Sequence, residues 1–206
     1  MGKEKREYKT KGIDKMKQYK FLQLDMDGVF ADFYTLLEHW FKVNHWKEIE
    51  SRELILNTLK GTDFFYKIPL FPNSLDLLRM IDEKTKGQWN ILSTPLEGDF
   101  TNSVYHKNRW LNDVFKKAKV KPLDKLFTKD KWRYATTNNR PNLLVDDRPQ
   151  NLKLFIEKGQ GLGIRYQNNE SSYKKFIKKI DALSWLLKYM NYLKSIKILT
   201  LAEKGD

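Results

Sequence analysis

The 206 residues contain no cysteine, which excludes disulfides, thiolate metal sites and cysteine nucleophiles. Nor is there an uninterrupted apolar run near the ~20 residues that a membrane-spanning helix needs. The amino end is charged and has no apolar segment of the kind that follows in a secretion signal. These absences set the expectation of a cytoplasmic protein with no membrane partner. Repeats and low-complexity tracts are missing as well. Histidine is scarce, and none of His39, His45 and His106 has a partner at metal-ligand spacing.

Apolar material is plentiful enough to build a core: hydrophobic residues make up 40% of the chain and aromatics 14%. The net charge of +13 would suit a polyanion-binding protein, but most of it lies at the ends. Residues 1–20 and residues 171–206 each hold eight basic and three acidic side chains, so the ends carry +10 of the total. A solubilising tail is therefore favoured over nucleic acid as a partner. A homodimer remains open.

Short runs of strand formers alternate with longer amphipathic segments, the pattern of a mostly parallel sheet wrapped by helices. The runs at 19–25, 88–93, 125–128, 142–146 and 161–166 predict five strands, and the spacing predicts helices at about 73–84, 103–117 and 149–158. Some 40 residues separate the first strand from the helix near Asn73, too many for a plain crossover, and they are crowded with aromatics. This predicts a small helical cap (34–70) inserted into an α/β core (19–33 and 71–170). The core is flanked by a basic tail (1–18) and a C-terminal helical extension (171–206).

In a parallel sheet, ligands bind beyond the carboxyl ends of the strands. The polar residues expected there are Asp25 and Asp27 in "FLQLDMDGVFADF", Ser93 and Thr94 in "ILSTP", and Asp146 and Asp147 in "NLLVDDRP". Four converging carboxylates repel one another unless a positive charge sits among them. Oxygen ligands alone suit a hard cation, and Mg²⁺ is the usual one where a few carboxylates share a site with a phosphate. Lys107, in "YHKNRW", is a candidate for the remaining positive charge.

Together, "DMDGVFADF", "FFYKIPLFPNSLDLL", "ILSTP", "HKNRWL" and "LLVDDRP" resemble the haloacid dehalogenase (HAD) superfamily, and within it the 5′(3′)-deoxyribonucleotidase family, over residues 20–166. The resemblance implies a Rossmann-like sheet with helices on both faces and a small cap after the first strand. It implies a Mg²⁺-dependent phosphatase of nucleoside monophosphates that works through an aspartyl phosphate. Asp25 would be the nucleophile, and Asp27 the acid that protonates the leaving oxygen and then the base that activates water. Ser93, or Thr94 in its place, and Lys107 would hold the phosphate. Mg²⁺ would sit on Asp25, the backbone carbonyl of Asp27 and Asp147, with Asp146 in support.

The aspartate at position 27 argues against the dehalogenase and ATPase branches, which lack a proton-transferring group there. Aromatics of the insertion would stack on the base, with Phe33, Trp40, Trp46, Phe64 and Phe65 as candidates, and Arg148 would reach the substrate from beyond the acidic pair. Two alternatives stand beside this reading. One is a phosphatase of nucleic-acid ends that uses the basic termini, and the other is a binding module that keeps the fold without the chemistry.

Overall fold

The structure, a computed structural model, describes residues 20–166. The basic tail and the C-terminal extension expected from the sequence lie outside the described residues. In chain order the elements are β1 (Leu22–Leu24), α1 (Phe33–Phe41), α2 (Arg52–Leu59), α3 (Ser74–Thr85), β2 (Trp89–Ser93), α4 (Phe100–Ala118) and β3 (Lys125–Phe127). There follow β4 (Thr136–Thr137), β5 (Arg140–Pro141), β6 (Leu143–Asp146), α5 (Pro149–Glu157) and β7 (Leu162–Arg165).

Five strands form one sheet in the order β3-β2-β1-β6-β7, every neighbouring pair parallel. All five coincide with strands expected from the sequence. Alternation of side chains across the pleat assigns the two faces. Trp89, Ile91, Leu143 and Val145 point into the larger core, which α3, α4 and the inserted segment cover. Leu92 and Leu144 point the other way, onto Leu152 and Phe155 of α5 and onto Ala135. Each such side chain, fully buried, contributes about 1.5–3 kcal/mol. The result is a parallel α/β sheet with helices on both faces, as the residue pattern implies.

Between β1 and α3 the chain is helical, with α1, α2 and two short 3₁₀ turns at Trp46–Glu48 and Phe64–Tyr66. Its two ends lie side by side. Ala31 bridges Leu70, the Asp32 N–H donates to the Pro69 carbonyl at 2.8 Å, and the Phe71 N–H donates to the Phe30 carbonyl at 3.2 Å. The Ser74 hydroxyl donates to that same Phe30 carbonyl at 2.6 Å.

The order in which the chain adds strands to the sheet reverses once. From β1 the chain steps outward to β2 and β3, then returns to β6 on the other side of β1 and steps outward to β7. The crevice at such a reversal opens beyond the carboxyl ends of β1 and β6. Asp25 follows β1 directly, and Asp146 and Asp147 end and follow β6.

Candidate active site

The Asp25 N–H still donates to the Val145 carbonyl, at 2.9 Å, so the strand ladder holds the first carboxylate in place. Beyond it the chain curls tightly, and the Met26 carbonyl accepts from the N–H groups of Val29, Phe30 and Ala31. Gly28 makes the curl possible. Its φ of 78° is left-handed, and a Cβ there would stand 2.5 Å from Asp147 Oδ2. The glycine in "DMDG" therefore lets the β1 loop pass against the second acidic residue of β6.

Asp25, Asp146 and Asp147 form one buried cluster whose carboxylate oxygens can lie within 4.8 Å of one another. Lys131, on a 3₁₀ turn between β3 and β4, sits among them. Its Nζ is 2.7 Å from Asp25 Oδ1 and 2.7 Å from Asp146 Oδ2. Asp146 is otherwise fully engaged, accepting from the Arg148 N–H at 2.8 Å and from Asn151 Nδ2 on both oxygens. Asp147 differs: its Oδ1 is buried with no hydrogen-bond partner among the described residues.

Burial dominates the electrostatics. Asp25 is pushed up to about 7, first by desolvation, with Asp146 and Asp27 adding to the rise and Lys131 opposing it. Asp147 is also raised well above the usual carboxylate range, by burial first and then by Asp25 and Asp146. For Lys131, burial works against the ammonium, but Asp146 and Asp25 outweigh it and hold the proton more tightly than usual. A group of three carboxylates and one ammonium is short of positive charge.

The donor set fits a hard dication. Every ligand is oxygen, the unpartnered Oδ1 atom of Asp147 is buried beside Asp25, and a side chain larger than glycine at position 28 would crowd that carboxylate. Asp25 and Asp147 would hold such an ion, with Asp146 supporting through its engaged oxygens.

Asp27 points elsewhere. Its Oδ2 is 2.6 Å from Lys107 Nζ on α4, which also donates to Ser93 Oγ at 2.9 Å and to the Thr94 carbonyl at 2.8 Å. Asp27, Ser93, Thr94 and Lys107, expected at one site, thus meet around a single ammonium. The side chains of Asp25, Asp146 and Asp147 meet in the neighbouring cluster, and the peptide Asp25-Met26-Asp27 joins the two.

The aromatic candidates divide. Phe64 and Phe65 are buried in the main core. Phe64 takes edge contacts from Phe33, Trp40 and Phe65, and Phe65 stacks on Phe33. Trp46 leans on Tyr34 with ring centroids 5.1 Å apart. Arg148 is exposed.

Two residues escape the sequence reading. Lys131 is one. Its signal was the charge shortage itself, since four carboxylates need more than one lysine. Tyr34 is the other: its phenol is driven up by burial and then by Asp147, which places it within the field of the acidic cluster.

No protein-family model matches the chain. No curated protein matches it either. Among solved structures, the crystal structure of a dehalogenase is similar over 83% of this chain and 96% of its own, at 12% identity and a TM-score of 0.46. The crystal structure of a dehalogenase with an intermediate complex is similar over 73% of this chain and 85% of its own, at 10% identity and a TM-score of 0.42.

Proposed function

We propose that this protein is a HAD-like hydrolase, specifically a Mg²⁺-dependent phosphatase of (deoxy)nucleoside monophosphates. The observation that carries the reading is the placement of Asp25. It is a buried carboxylate at the chain reversal, facing Lys131 and Asp147, with a second carboxylate two residues on. A carboxylate nucleophile attacks phosphorus well when its substrate's negative charge is matched by nearby cations. Mg²⁺ bound by Asp25 and Asp147 would supply that charge and keep both carboxylates ionised.

The residues then divide the work. An Asp25 oxygen bonds to phosphorus as the ester P–O bond breaks, and the departing oxygen takes the electron pair and a proton from the Asp27 carboxyl. In the second half, the Asp27 carboxylate removes a proton from water as that water attacks phosphorus, and the bond to Asp25 breaks. Lys131, with two donors on Asp25 and Asp146, offers its third to a phosphoryl oxygen. Ser93 accepts from Lys107 and so keeps its own hydroxyl proton for the phosphate. Phe33, Trp40 and Trp46, partly exposed in the inserted segment, supply apolar surface for a base.

The test is phosphate release from 5′- and 3′-(deoxy)nucleoside monophosphates and from a phosphate-ended oligonucleotide, with Mg²⁺ and with chelator. Turnover of mononucleotides that stops with chelator and in Asp25→Asn is the expected result. Turnover that survives Asp25→Asn would overturn the mechanism. Activity on the oligonucleotide alone would favour nucleic-acid ends, the substrate that the +10 carried by the two ends of the chain would suit.

A further inference from the structure

We infer that Lys107 is a positioning residue for Asp27 rather than a phosphate ligand: it holds one oxygen of that carboxyl group and leaves the other as the one free to exchange a proton. A lysine ammonium has three protons to donate. At Lys107 all three have acceptors, Asp27 Oδ2 at 2.6 Å, Ser93 Oγ at 2.9 Å and the Thr94 carbonyl at 2.8 Å. The side chain is wholly buried, and the ring of Phe65 covers Nζ with its centroid 4.7 Å away. No proton remains for a phosphoryl oxygen.

The arrangement distinguishes the two oxygens of Asp27. Oδ2 is held by the ammonium, while Oδ1 is buried with no hydrogen-bond partner among the described residues. Only Oδ1 is left to exchange a proton with the ester oxygen or with water. A carboxyl group can carry its proton on Oδ1 and still accept from Lys107 on Oδ2, so the contact survives both halves of the reaction. The same ammonium fixes Ser93 by donating to its Oγ, which turns the hydroxyl proton outward. Phe65 belongs to the inserted segment, so the cap helps to shield the contact from water.

This inference rests on the phosphatase reading, and its test separates the two. Proton transfer matters for an alkoxide leaving group and little for an aryl oxide that departs as a stable anion. Turnover of a deoxynucleoside 5′-monophosphate and of p-nitrophenyl phosphate is therefore compared in Lys107→Met. The nucleotide kcat/KM, which reports only the steps up to departure of the leaving group, is expected to fall on the order of 10²-fold, and the aryl kcat/KM by less than about tenfold. Equal losses of kcat/KM on the two esters would overturn the inference and leave the phosphatase standing. An unsubstituted protein that turns over neither ester would remove both.

A second comparison covers the case in which Lys107→Met alone does not fold. Asp27→Asn with Lys107→Met leaves no unpaired buried charge, and it is set against Asp27→Asn alone. A residue that acts only through Asp27 adds no further loss of nucleotide turnover. A phosphate ligand adds its own loss.

Discussion

Lys131 keeps two buried carboxylates from facing each other unpaired, so its removal is costly in a way that a surface lysine's is not. Lys131→Ala leaves Asp25 and Asp146 without their shared cation and is expected to destabilise the fold by about 3–5 kcal/mol. Urea unfolding at neutral pH measures this, and a loss below about 1 kcal/mol, typical of exposed pairs, would contradict it. Gly28→Ala tests the same site from the other side. The new methyl meets Asp147 and the backbone keeps a left-handed φ, so a strain of about 1–3 kcal/mol is expected, and calorimetry should find the proposed Mg²⁺ site weakened. The aspartates were legible because a carboxylate at the end of an apolar run is unusual. Lys131 was not, because it ends no strand and lies 15 residues before Asp146, and only the fold of the β3–β4 connection brings it inward.

The elements show why some parts of the fold could be read and others could not. Runs such as "NILS" and "NLLVD" are buried on both faces and read as continuous apolar strands, which is how parallel strands look in any sequence. The β4–β5 hairpin was missed although its turn carried a signal. Asn138 and Asn139 both have positive φ, as a two-residue hairpin turn of this hand requires and asparagine tolerates. The ties between the inserted segment and the β2–α4 connection were also invisible, because they join residues some 40 positions apart. Arg52 pairs with Glu97, the Gly61 N–H donates to Asp99 Oδ2, and Asn102 Nδ2 donates to the Thr62 carbonyl, while a local bond from Asn102 Nδ2 steadies the same Asp99 Oδ2. Asp99→Ala removes two of these bonds, a cost of about 1–2 kcal/mol. Hydrogen exchange is expected to quicken in residues 52–62 while the amides of β1 and β6 stay protected. Equal quickening in the sheet would mean that Asp99 supports the whole described fold and not the inserted segment alone.

At the scale of the molecule, the acidic cluster links folding to pH and, at the proposed metal site, to the ion. In the metal-free protein Asp25 is raised to about 7 from 3.8, by burial first, and Asp147 is raised in the same direction. A carboxyl group whose folded pKa lies above its unfolded one is bound to a proton more firmly in the folded state. Its stabilising contribution is full below about pH 4 and is lost as pH rises toward about 7. Metal-free protein should therefore lose stability across this window, on the order of a few kcal/mol, because folding then confines ionised carboxylates with too little positive charge. A dication at the proposed site would reverse the trend, since it would bind the ionised oxygens that burial disfavours, and its binding would release protons as pH falls through the same window. Thermal unfolding from pH 4 to 8, with chelator and with Mg²⁺, reads both halves of this linkage. The midpoint with chelator is expected to fall as pH rises, and the gain from Mg²⁺ to grow over the same interval. A Mg²⁺ gain that does not change with pH would mean that the carboxylates are already ionised without the ion. Burial would then not set their proton affinity, and Lys131 alone would balance the cluster.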